Sequence, residues 1–202
     1  MQKEIPDFYN DLDKIYLKIW DFLNLGLLDR DSECHLPVFI CGEGKTFDGR
    51  TVVLRGIDKK NKILWFHTDI RSKKIKILKI NPNGSFLFYD KKEKIQLRIK
   101  VECTVHHNNE TTKESWSKTG HISRKCYLVD NGPGTISPSP TSGLKPEYDN
   151  FEFTLEQSEE GYKNFTVIQC KIKSFEWLYL AAQGHRRAKF ELDNNKEYWL
   201  VP

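Results

Sequence analysis

The stretch IQLRIKVECTV, residues 95–105, alternates without a break. Ile95, Leu97, Ile99, Val101, Cys103 and Val105 share one parity, and Gln96, Arg98, Lys100 and Glu102 share the other. A period of two puts successive side chains on opposite faces of an extended chain, so this is a strand with one buried and one wet face. Working outward towards the N-terminus, residues 86–89 read as another strand, preceded by the turn Asn81-Pro82-Asn83-Gly84. Lysine-rich residues 71–80 read as a helix. Residues 50–57 and 62–68 are β-branched and aromatic runs joined through Asp58-Lys59-Lys60-Asn61, a hairpin, and residues 36–41 are a short apolar run. Residues 6–28 change period: Phe8, Leu12, Ile15, Ile19 and Phe22 recur at steps of three and four, which predicts an amphipathic helix.

On the C-terminal side, residues 110–118 suit a short helix. Residues 131–146 hold four of the eight prolines and read as a long loop. A helix near 147–158 and strands near 164–173, 175–181 and 187–192 follow. No repeat or linker divides the chain, so residues 1–202 read as a single domain. Helices set around a run of antiparallel strands make the class α+β, with the sheet closed or nearly closed into a barrel.

Composition narrows the function classes. Hydrophobic residues are 38% and aromatics 12% of the 202, enough for a sizeable core. Mean hydropathy is −0.61 and no apolar run approaches the roughly 20 residues that span a bilayer, so no membrane role is expected. The first residues, MQKEIPDFYNDLDK, lack the apolar core of a signal peptide, which points to a cytoplasmic protein. Net charge is +4, mild enough to suit an anionic small ligand or a weak nucleic-acid contact without specifying either. Five scattered cysteines without a C-x-x-C pair, and six histidines outside ligand spacing, predict neither a disulfide framework nor a metal site. Phosphate-loop, dinucleotide, zinc-protease and serine-hydrolase motifs are absent.

Three segments could carry chemistry. In His67-Thr68-Asp69-Ile70-Arg71-Ser72-Lys73-Lys74 a strand runs into a helix start, where free N–H groups beside cations suit a phosphate; the same lysines also suit the wet face of an amphipathic helix. Arg50-Thr51-Val52-Val53-Leu54-Arg55 has a guanidinium at each end. Five residues apart in a regular strand they face opposite sides, so they serve different groups, the strand bulges, or both are simply solvated. Trp177, followed by Gly184-His185-Arg186-Arg187, is the third; a strand Trp is most often core and such a turn most often wet.

Taken in order, these segments resemble the pyridoxamine 5′-phosphate oxidase family of FMN-binding split β-barrels. The pattern is R-x-V-x-L-[KR], then F-x-T-x-x-x-S-x-K after one hairpin, a strand Gln, and a late Trp with H-x-R eight to ten residues on. Here these are Arg50 to Arg55, Phe66 to Lys74, Gln96, and Trp177 with His185 and Arg187. The T-D-x-R-S-x-K form is closer to the bacterial FMN-domain relatives than to the vitamin-B6 oxidase proper. The resemblance implies a six-stranded antiparallel Greek-key split barrel with peripheral helices, a homodimer, and FMN at each interface. It implies FMN contacts from Arg50, Thr51, Val52, Val53, Leu54 and Arg55, from His67 and Thr68, and from Gln96. Arg71, Ser72, Lys73 and Lys74 would hold the phosphate, and Trp177 and Arg187 would come from the partner subunit. Arg55 and His185 would line the side facing a small-molecule substrate that gives hydride to the flavin, with oxygen as acceptor. A flavin carrier or sensor without turnover, and a basic nucleic-acid-binding barrel, are the other classes weighed; the expected partners are FMN and a small molecule, with no nucleic acid. Gln183 stands where the oxidase proper has Arg, and its Gln-Ser pair has only the Gly132-Pro133-Gly134 loop as counterpart.

Overall fold

The computed structural model describes residues 5–148 and 153–202. Nine antiparallel strands form one sheet: β1 (Val38–Glu43), β2 (Thr46–Thr51), β3 (Leu54–Asp58), β4 (Ile63–Asp69), β5 (Asn83–Asp90), β6 (Ile95–His106), β7 (Phe165–Tyr179), β8 (Arg186–Glu191) and β9 (Lys196–Leu200). Their order is β2-β1-β5-β6-β7-β4-β3, with β8 added to β7 and β9 to β8. The α+β class and the antiparallel sheet are as read. The six-stranded barrel is corrected: among the described residues there are nine strands, and no ladder joins the end strands β2 and β3, so the sheet does not close.

Strand β6 behaves as its alternation requires. Ile95, Leu97, Ile99, Val101 and Cys103 are buried while Arg98, Lys100 and Glu102 are exposed. Its partner β7 is one continuous 15-residue strand rather than the two expected at 164–173 and 175–181. The first half of β7 pairs with β4 and the second half with β8, so it forks at Lys173–Ser174, where a register shift against Lys100 and Val101 marks a bulge. The expected single strand over 50–57 is likewise two. Arg50 lies in β2 opposite Phe39, Arg55 lies in β3, and Val52 turns the chain with its N–H on the Pro37 carbonyl.

Helix α1 (Leu12–Leu28) starts six residues later than expected, because the Asp11 side chain caps it at the Lys14 amide, 3.0 Å away, while Tyr9 closes a separate turn onto Pro6. Its Ile15, Ile19, Trp20, Phe22 and Leu23 join the main core with Phe66, Phe86, Phe175 and Trp177. Helix α2 (Lys73–Ile80) follows β4 directly. Helices α3 (Glu110–Ser117) and α4 (His121–Arg124) cover the opposite face of β4 and β7, where Trp116, Tyr127, Phe165 and Val167 make a second core. The helix expected near 147–158 reduces to the single turn α5 (Leu155–Ser158), with Pro146–Tyr148 in a separate 3₁₀ turn and residues 149–152 outside the described set. Loop 131–146 has no helix or strand before that turn. No described helix is long and apolar enough to cross a membrane.

Candidate functional site

The alternation of β4 separates two residues that the motif writes side by side. Phe66 and Thr68 face the main core, and Trp65, His67 and Asp69 face the α3 side. His67 and Thr68 therefore belong to different surroundings, and only Thr68 stands at the start of α2.

At that start the polar groups converge. Thr68 and Ser72 are 8% and 4% exposed, and their hydroxyl oxygens lie 3.3 Å apart. Lys74 Nζ donates to Thr68 Oγ1 at 2.8 Å and has no carboxylate in ion-pair range among the described residues. Ser72 makes no side-chain cap to its own helix, its hydroxyl meeting Thr68 instead, and the leading amides of α2 have no partner within the helix. Arg50 arrives from β2: its guanidinium lies 3.1 Å from Cys41 Sγ and pairs with Asp48. Burial pushes the Lys74 pKa down, and the Arg50 charge nearby pushes it further the same way. A half-buried lysine held beside a second cation, with two buried hydroxyls, is matched by an anion. These residues fit the phosphate of FMN.

Arg71, expected at the phosphate, is committed elsewhere. It grips Asp69 through two nitrogens, 3.0 Å from Nε and 2.6 Å from one terminal nitrogen, and donates to the carbonyls of Val129 and Asp130 at 3.0 and 2.9 Å. The Asp69 carboxylate, 5% exposed, raises the Arg71 pKa. Arg71 ties the root of the proline-rich loop to the end of β4. Lys73 is exposed at the first position of α2.

The outer face of the sheet brings together a second set. Tyr89, Gln96, Leu178 and Arg187 lie in one cross-strand row over β5, β6, β7 and β8. Trp177, one residue before Leu178, points inward: it is fully buried against Phe8 and Phe22, with ring centroids 5.7 and 6.4 Å away. The expectation that Trp177 reaches a partner's cofactor is corrected, because the period of two assigns that outer position to Leu178. Arg187 and Arg98 both pair with Glu176, a residue the sequence reading passed over. Cross-strand neighbours 11 and 78 positions apart leave no local signal in sequence. Val38, Ile40 and Leu87 are half-buried on the same face, and Phe47 and Tyr89 are exposed.

His185 is exposed on the turn before β8 and accepts the Ala181 N–H at Nδ1, 3.1 Å away. Together with Asn10, Arg186, Arg187 and Trp199 it lines an open cavity of about 510 Å³. The unpredicted strand β9 supplies Trp199. Arg55 and His67 lie in a different groove, also about 510 Å³, over Trp65 and beneath α3. Burial lowers the His67 pKa to about 3, with the Arg55 charge adding to it, and its Nε2 is buried without a partner among the described residues. The two residues expected on the substrate side, Arg55 and His185, are thus in separate cavities of the single chain. Of residues 51–54, Val52 and Leu54 are buried, Thr51 is exposed and Val53 is half-buried.

Residues 42–107 match the family model described as pyridoxamine 5′-phosphate oxidase, FMN-binding domain, which spans β2 to β6 and includes the α2 cluster. Pyridoxine/pyridoxamine 5′-phosphate oxidase 2 of Arabidopsis thaliana is 29% identical over 171 residues, covering 74% of this chain and 85% of that protein. A pyridoxamine 5′-phosphate oxidase-related FMN-binding protein from Nostoc punctiforme superposes with a TM-score of 0.69 at 16% identity, covering 98% of this chain and all of that one. PhzG from Burkholderia lata, solved with tetrahydrophenazine-1-carboxylic acid, gives 0.70 at 15% identity, covering 99% and 98%. At those identities the structures speak to the fold alone. The segment similar to the FMN-binding domain of the pyridoxamine 5′-phosphate oxidases, residues 42–107, takes in the cation and hydroxyl cluster at the head of α2.

Proposed function

We propose that the protein is an FMN-dependent oxidoreductase of the pyridoxamine 5′-phosphate oxidase type, acting on a small substrate with oxygen as acceptor. The observation that carries the reading is the uncompensated Lys74 at the start of α2, beside Arg50 and the buried hydroxyls of Thr68 and Ser72, inside the segment that matches the FMN-binding domain. In this reading Lys74, Ser72, Thr68, Arg50 and the α2 amides hold the phosphate, with Lys73 at the rim. The chain from Thr51 to Arg55 and the Gln96 side chain lie along the ring system. When bound, FMN supplies two-electron redox chemistry at its flavin ring. The protein's own part is to anchor, orient and place cations near the flavin's polar edge, which stabilises negative charge on reduction.

The outer sheet face supports a homodimer. Phe47, Tyr89, Val38, Ile40, Leu87 and Leu178 form an apolar area rimmed by Arg98, Arg187 and Lys100. Pairing through this face would bring Arg187 and His185 of one subunit towards the cofactor of the other, joining cavities that are separate in one chain. We read residues 1–202 as one domain in that dimer, in the cytoplasm, with its five cysteines free in the resting protein.

A second reading, flavin binding without turnover, draws on Glu176, which neutralises Arg187 and Arg98 on the face where a substrate anion would need them. One experiment separates the two. The purified protein is titrated with FMN, its visible spectrum is recorded, and pyridoxamine 5′-phosphate is added without oxygen. A yellow protein that bleaches is the oxidase. One that stays yellow is the non-catalytic binder or takes another reductant. A protein that takes up no FMN overturns both.

A further inference from the structure

Among the five free cysteines, two face each other across the longest ladder of the sheet. Cys103 on β6 is in direct register with Cys170 on β7, and their sulfurs lie 3.6 Å apart. Backbone directions sharpen this. The Cys103 N–H points away from β7, donating to the Pro82 carbonyl at 2.7 Å, and two residues along from Cys170 the Ile172 N–H points away from β6, donating to Lys62 at 2.8 Å. Cys103 and Cys170 therefore form a non-hydrogen-bonded pair, the closer of the two antiparallel pair types, with Cα atoms ~4.5 Å apart and side chains turned to the same face. That spacing lies within the range a disulfide spans without backbone movement, and a χ1 rotation at each residue closes the sulfurs.

We propose that Cys103 and Cys170 are a site of reversible oxidation, closing to a cross-strand disulfide that staples β6 to β7. Access sets the order of events. Cys170 is fully buried, and Cys103 is 5% exposed and meets the oxidant first. The oxidant is hydrogen peroxide, small and uncharged. The Cys103 thiol takes one oxygen from it, giving a sulfenic acid and releasing water. Cys170 sulfur then attacks Cys103 sulfur, the S–O bond breaks, and the hydroxyl leaves with the Cys170 proton as a second water. Burial holds the Cys170 pKa well above that of a free thiol, so the closure is slow. The inference stands on the ladder geometry and is independent of what the protein catalyses.

The test is made on the full chain, folded, with and without added FMN. Protein is exposed to millimolar hydrogen peroxide for hours, alkylated under denaturing conditions and digested for mass spectrometry. The expected product is a Cys103–Cys170 cross-linked peptide two mass units lighter than the dithiol, reversed by dithiothreitol, with a melting midpoint several degrees higher. In Cys170→Ser the cross-link is gone, Cys103 carries a dimedone-reactive sulfenic acid, and peroxide no longer raises the midpoint. Recovery of both cysteines as alkylated thiols, while the exposed Cys126 is oxidised, overturns the proposal. So does a cross-link that forms only in denaturant.

Discussion

Two arginine-bearing clusters of this molecule differ in how their charge is met. On the outer sheet face Arg98 and Arg187 share the carboxylate of Glu176, so a single acid, itself paired across β6, β7 and β8, absorbs both. At the head of α2 the acids are already spoken for: Asp69 by Arg71 and Asp48 by Arg50. Lys74 is left with a hydroxyl as its partner and a second cation beside it. Cationic side chains alone therefore do not mark a binding site. What marks one is a cation that the fold buries and leaves uncompensated, since holding it that way costs stability until an anion arrives.

The contrast can be broken at four places. The largest expected effect is Arg71→Ala, which strands the buried Asp69 carboxylate and frees the loop root at Val129 and Asp130. It should cost about 3 kcal/mol, read as a drop in urea midpoint, with faster proteolytic nicking in 131–146. If Arg71 is a phosphate ligand first, FMN affinity falls while the midpoint holds, and the assignment of Arg71 as a structural tie is wrong. Next, Lys74→Ala removes one charge-assisted contact of about 1.5–3 kcal/mol, so FMN should bind one to two decades more weakly, with riboflavin, which lacks the phosphate, little affected. Equal loss for both flavins would move the phosphate away from Lys74.

His67 makes the third test. Its folded pKa of about 3 is below the ordinary 6.5, so between those values the unfolded chain holds a proton that the folded one does not. Stability present above pH 6.5 is lost as pH falls towards 3. His67→Gln should flatten that part of the acid-unfolding curve by about 1–2 kcal/mol, and an unchanged slope would remove His67 as a source of acid sensitivity. The smallest effect is expected from Glu176→Gln: stability falls by about 1 kcal/mol and FMN affinity by less than threefold. An affinity change as large as that of Lys74→Ala would erase the distinction between the two clusters.

How much of this was legible in sequence varies with the range of the cause. The faces of β6 follow from alternation alone, as do α2 and the short helix α3, because period and side-chain type act within a few residues. Glu110 to Ser117 even carries its own start signal, the Asn109–Thr112 capping box. The motif of residues 66–74 marked the phosphate-suited helix start, but adjacent letters hid the opposite directions of His67 and Thr68. The spacing of Arg50 and Arg55 left a bend open, and the break at Val52–Val53 is its physical form. The inward turn of Trp177 depends on the phase of β7, which is set by its ladders to β6 and β8 rather than by local composition.

By itself the sequence determined an antiparallel α+β fold and a cationic helix start suited to phosphate, because hydrophobic periodicity, capping and charge are local properties. Only the tertiary structure decided how many strands join, that the end strands β2 and β3 do not pair with each other, which face Trp177 takes, and which cations keep a carboxylate. Those outcomes depend on distances between residues far apart in the chain, and Lys74 becomes a candidate ligand residue only once Arg71 and Arg50 have taken the neighbouring acids.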